Sequence, residues 1–138
     1  MLNYLLYLSQ PVSEMNDSEL IHLLFKARER NKQKQVSGLL MYRPAYFMQY
    51  LEGESDTVKM VFELIESDRR HKNLLILDQG EIPARLFPTW SMGFYQDSFW
   101  KSSGVEGLND LLLPEAWPPD FQNFMPMRIL KNFAESSV

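Results

Sequence analysis

The sequence has no cysteine, which removes disulfides, thiolate metal sites and cysteine nucleophiles together. Its two histidines are too few to hold a metal by themselves. Positive charge is also short: 14 Lys and Arg face 18 Asp and Glu, a formal net charge of -4. A phosphate backbone finds no basic footprint here, so nucleic acid is not an expected partner. No apolar run reaches the length of a membrane span. The apolar start, MLNYLLYLSQ, carries no basic leader and no small-residue cleavage site, and Gln10 and Pro11 end it early. It reads as the first strand of a cytoplasmic protein with no membrane partner. Ser-His-Asp patterns, glycine-rich phosphate loops, repeats and low-complexity tracts are absent as well.

What the 138 residues do contain is 45% hydrophobic and 13% aromatic side chains, enough for one core and too little for two. Residues 2 to 9 are apolar at both parities, as expected of a strand covered on both faces. NDSE supplies helix N-cap candidates ahead of LIHLLFKARERN, in which Leu20, Leu24 and Ala27 share one face. QVSGLLMY (35–42) and residues 46 to 52 read as strands of a hairpin joined by RPA. A second helix is predicted from Asp56 to Arg69 on the face Val58, Val61, Phe62 and Ile65, then a strand at LLILDQGEI and another at LFPTWSMGFY. This order predicts an α+β, ferredoxin-like βαββαβ fold with an added fifth strand and both helices on one sheet face. Two short C-terminal helices around WPP, with Phe121, Phe124, Leu130 and Phe133 as an apolar stripe, are expected to cap the other face.

Polar residues interrupt these apolar patterns. In YFMQYLEG, Gln49 shares a strand face with Phe47 and Leu51, and an unsatisfied buried amide costs about 1 to 3 kcal/mol. Four positions beyond Ala27, the first helix presents Asn31, readable as a helix C-cap or as a core-facing amide. The second helix face leads to Asp68, with Arg70 and His71 following. If the faces coincide, Tyr7, Asn31, Gln49, Asp68 and Arg70 converge between helices and sheet. Such a group suits a flat heteroaromatic ring with an apolar body and an edge that both donates and accepts hydrogen bonds. Each residue also has a plain structural reading: Tyr7 as core, Asp68 and Arg70 as an exposed ion pair, His71 as a helix-end cation.

The stretches YLLYLS, ARERN followed by VSGLLMY, YFMQYLEG, SDRRH and LFPTWSM, in this order and spacing, resemble the BLUF domain, a blue-light sensor that uses FAD. The resemblance covers residues 1–97, with 98–138 similar to the helical cap of short, single-domain members. It implies Tyr7 as electron and proton donor to an excited flavin, and Gln49 as the amide between that phenol and the flavin edge. Asn31 and Arg70 are then hydrogen-bonding partners of the ring, Asp68 and His71 their neighbours, and Arg30 a side chain against the ring face. Trp90 and Met92 match the fifth-strand pair that exchanges environment during signalling. Ala27 stands where many members carry a hydroxyl, and Leu8 where others carry arginine or a small polar residue. The implied protein is a photoreceptor rather than a turnover enzyme. It binds FAD, with FMN or riboflavin as alternatives, forms a homo-oligomer, and acts on a protein partner in trans. A flavin-free ferredoxin-like interaction module and a small flavin redox enzyme are the rival readings.

Overall fold

The computed structural model describes residues 1–43, 46–86, 93–96, 124–126, 128, 129 and 132. Its elements are β1 (Leu2–Pro11), α1 (Asp17–Gln33), β2 (Ser37–Arg43), β3 (Tyr46–Glu54), α2 (Ser55–Glu66), β4 (His71–Glu81) and β5 (Gly93–Gln96). They form one sheet in the order β4-β1-β3-β2-β5. The first four strands in that order pair antiparallel, and β5 runs parallel to β2. This is the expected ferredoxin-like arrangement with its extra strand.

Local chemistry accounts for the helix ends. Asn16 caps α1 through a reciprocal pair of bonds: its side chain accepts from the Glu19 amide at 2.8 Å, and the Glu19 carboxylate accepts from the Asn16 amide at 3.2 Å. The helix continues past Asn31 to Gln33, with Lys34 as C-cap, so the C-cap reading of Asn31 does not hold. Gln35, at φ 56°, takes the left-handed conformation that turns the chain into β2. α2 ends three residues short of the expected Arg69. Ser67 stops it, donating its hydroxyl to the Leu64 carbonyl at 2.8 Å, and Asp68 and Arg70 therefore stand in the connection to β4.

The centre of the sheet is buried on both faces, as the two apolar parities of β1 require, while the edge strand β4 stays partly exposed. Leu5, Tyr7, Leu40, Phe47 and Leu51 face the helices and pack with Leu20, Leu24, Val58, Val61 and Ile65. On the far face, Tyr4, Leu6, Leu39, Met41, Met48 and Tyr50 form a second cluster, against which Phe124 and Ile129 pack. Of the expected cap, Phe121, Leu130 and Phe133 lie outside the described residues, as do residues 98–120, 44, 45 and 87–92. Among the described residues no helix is long and apolar enough to cross a membrane.

Close approach of β2 to β3 depends on Gly38. A Cβ there would stand 1.9 Å from the Tyr50 carbonyl oxygen, and neither backbone can yield without losing ladder bonds. Gly38→Ala is expected to destabilise the fold by about 2 kcal/mol, read as a lower urea midpoint with an unchanged slope.

Candidate functional site

The site is built on the β1 and β3 pair. Tyr7 and Gln49 are register partners and point to the helix-covered face, where each is 3% exposed. The Tyr7 hydroxyl donates to Gln49 Oε1. With its oxygen accepting from the phenol, the amide presents its NH2 as donor. Burial pushes the Tyr7 phenol well above its ordinary range, and the neighbouring Arg30 guanidinium only partly offsets this, so the proton stays on the oxygen that donates it.

Tyr7 sits at an irregularity in the sheet. The β1 and β4 register slips on both sides of it, between Leu6 and Tyr7 and again between Leu8 and Gln10, and Asn73 in the second slip has φ 56°. Bulges of this kind bend an edge strand and re-aim its side chains. Here they bring His71, the first residue of β4, to a ring-centroid distance of 6.4 Å from Tyr7, while Phe62 of α2 meets the phenol edge-on at 5.6 Å.

A cavity of about 240 Å³ opens beside this pair, between α1, the end of α2 and the sheet. Leu23 and Ala27 of α1, Leu40, Phe47 and Ile65 form its apolar wall; Tyr7, Gln49, Lys26, Arg30, Asp68, Arg70 and His71 supply its polar atoms. Arg30 projects from the last turn of α1 and donates through Nε to Asn31 Oδ1 at 3.1 Å. Burial pushes its guanidinium downward, opposed by Tyr7 and Asp68, but an arginine remains protonated. Asn31 is fully buried behind Arg30 and is not one of the lining residues.

Asp68 and Arg70 form a bidentate pair, Nη2 to Oδ2 at 2.6 Å and Nε to Oδ1 at 3.0 Å, with the Arg70 amide also donating to Oδ1 at 2.9 Å. His71 is held at both nitrogens. Nε2 lies 2.6 Å from the Ile65 carbonyl, which can only accept, so Nε2 carries a proton; Nδ1 lies 3.0 Å from the Ser9 hydroxyl. In the neutral ring Ser9 therefore donates to Nδ1. His71 joins β1, β4 and the end of α2, with its polar atoms engaged by protein.

The structure thus brings Tyr7, Arg30, Gln49, Asp68, Arg70 and His71 to one cavity, with Asn31 immediately behind. Trp90 and Met92 lie outside the described residues. Sequence reasoning missed Lys26 and Ser9. Both signals were present: Lys26 precedes Arg30 by one helical turn, and Ser9 shares the face of Tyr7. The donor set fits a planar heteroaromatic ring, with apolar walls for its faces and an amide and two guanidinium groups for acceptors on its edge.

Comparison with known proteins gives a consistent picture. The profile of the family described as BLUF, sensors of blue-light using FAD, matches residues 2–93. Photoactivated adenylate cyclase subunit beta of Euglena gracilis is 33% identical over 93 residues, which are 66% of this chain and 11% of that protein. The blue light- and temperature-regulated antirepressor BluF of Escherichia coli (strain K12) is 34% identical over 87 residues, 63% of this chain and 22% of that protein. The chain therefore spans between about a tenth and a fifth of the length of these relatives. Among solved structures, the ground state of BlsA superposes with a TM-score of 0.69 at 28% identity, covering 99% of this chain and 90% of that one.

The Asp68 carboxyl has a testable consequence. Hydrogen bonds from Arg70 hold it below its ordinary 3.8. Its folded value is depressed, so its contribution is complete above about 3.8 and is lost as pH falls through the folded value. Both side chains are partly exposed, which limits the pair to about 1 kcal/mol or less. Asp68→Asn should lower stability slightly at neutral pH and flatten the acid limb below about pH 4, measured by urea midpoints across pH.

Proposed function

The chain belongs to the BLUF family, the sensors of blue-light using FAD, and from that membership we propose that it switches through the Tyr7 and Gln49 pair at the floor of the cavity. As a member it is a flavin-binding blue-light photosensor and not an enzyme in its own right. The observation that carries it is the buried hydrogen bond from Tyr7 to Gln49 Oε1, placed where the cavity is lined by both side chains.

A flavin bound there would supply the blue absorption and, once excited, the oxidising power. Tyr7 would be the donor of one electron and its phenolic proton to that flavin, which would return both as the cycle closes; its buried bond to Gln49 fixes where that proton sits beforehand. Gln49 loses the phenol's bond in between and turns or tautomerises, so that the ring edge faces a different donor afterwards. Absorption then moves slightly to the red. Arg70 would meet acceptors on the ring edge and Arg30 would lie against the ring face, both as cations lining the cavity; Asp68 fixes Arg70 through its bidentate bonds, and Asn31 is positioned by Arg30. His71 keeps β1, β4 and α2 in register around Tyr7. We take FAD as the cofactor from the family, with FMN and riboflavin as competitors for the same cavity.

The lit state acts in trans on a protein partner. Relatives whose names describe a photoactivated cyclase and a blue light-regulated antirepressor support coupling of the sensor to a downstream effector. In this reading Trp90 and Met92 relay the change, residues 1–97 are the sensor, 98–138 the cap, and the chain self-associates.

Purified protein should be yellow and show a reversible light-induced red shift. Tyr7→Phe is expected to retain flavin and lose the shift; a normal shift in that variant refutes the role of Tyr7. Gln49→Ala should also bind flavin without shifting. Steady turnover of a reductant with no spectral change under light would favour the redox-enzyme reading instead.

A further inference from the structure

The sheet face away from the cavity holds a second buried polar group that the photochemistry does not use. Glu52 has no exposed surface. Its Oε2 accepts from the Ser37 hydroxyl at 3.0 Å, and its Oε1 accepts from the Tyr50 phenol at 3.1 Å and from the Leu86 amide at 2.8 Å. Arg85 closes the group, donating from Nη1 to Ser37 Oγ at 3.1 Å and to the Glu52 carbonyl at 3.2 Å, and from Nη2 to the Gln35 carbonyl at 2.7 Å. A carboxylate withdrawn from water is costly unless its lone pairs are met. Here the donors come from β2, from β3 and from residues 85 and 86, which follow β4 and lead toward 87–92.

Tyr50 ties this group to the switch. It is the next residue after Gln49, and neighbours on a strand face opposite sides of the sheet. Its ring is fully buried, stacks on Tyr4 at 5.9 Å and meets Phe124 edge-on at 6.5 Å, while Phe124 meets Tyr4 at 4.9 Å. Burial, and then the charge of Glu52, push the Tyr50 phenol well up, so it remains a donor to that carboxylate. A single peptide bond therefore links an amide on the cavity side to a phenol that touches both the 85–86 backbone, through Glu52, and the C-terminal Phe124.

We infer that Tyr50 and Glu52 are positioning residues that carry the state of Gln49 across the sheet to the backbone at Leu86 and to Phe124. The inference rests on the proposed rearrangement of Gln49. Its physical basis is that a close-packed interior has no slack: a displacement of β3 at Gln49 moves the Tyr50 ring, and the Glu52 bonds pass it to a segment that sits on the far face.

The test is hydrogen exchange by mass spectrometry on the full flavin-loaded chain, dark and under blue light, following peptides that contain residues 82–86 and 124–129. Wild type should exchange at least severalfold faster at 82–86 in light. Tyr50→Phe keeps the ring and removes the hydroxyl. It should retain the red shift and lose most of the light-minus-dark difference at 82–86, whereas a purely structural role would raise exchange equally in both states. Arg85→Ala, at a partly exposed position, tests the same tie from its other end and should give the same loss should Tyr50→Phe fold poorly. A wild-type light-dark difference persisting in a variant that still shifts overturns the inference, as does a shifting wild type with no difference at 82–86. A wild type without any red shift overturns the photosensor proposal and this inference together.

Discussion

Burial of the sheet on both faces constrains everything else in this structure. β1 and β3 sit inside the sheet with one apolar cluster above and another below, and their central residues are buried. A polar side chain placed there must find its partner within the protein or on a ligand. Tyr7 and Gln49 meet each other on the helix face, and Ser37, Tyr50 and Glu52 meet on the far face. The same rule that would penalise a stray amide makes each of these pairs specific, because no solvent competes for their bonds.

The two polar groups differ in kind. On the far face, a carboxylate is met by three donors and a nearby arginine, a closed arrangement within the protein. On the helix face, the hydrogen-bonding groups line a cavity with apolar walls, and cations outnumber anions: Lys26, Arg30 and Arg70 face Asp68. A closed group ties the elements it joins to one another; a group arranged around a cavity is placed to hold a ligand. Membership of a flavin-using photosensor family agrees with what that cavity could receive, and the one-residue step from Gln49 to Tyr50 places the two groups in direct mechanical contact through the strand.

Much of this was legible in the sequence because it depends on parity and period. Alternation along β1 and β3 placed Tyr7 and Gln49, and the four-residue step from Ala27 led to Asn31, which is fully buried. The α1 cap could be read from NDSE because a capping box is a local bond pattern. The end of α2 was read too late, since Ser67 stops the helix by bonding back to Leu64, a competition between side chain and backbone that periodicity does not register. Glu52 escaped notice because LEG reads as a strand end, where a carboxylate is normally solvated.

The sequence by itself determined the element order, the two apolar faces of the sheet and the residues whose chemistry is out of place on them, since all of these are properties of local spacing. Only the tertiary structure decided which of those residues meet. It set Arg30 between the cavity and Asn31, occupied both nitrogens of His71 with Ser9 and Ile65, and brought residues 85 and 86 onto Glu52. The contacts of His71 with Ser9 and of Leu86 with Glu52 join positions 62 and 34 residues apart, and they depend on register slips and loop paths that arise when strands pair, not on any pattern a single strand carries.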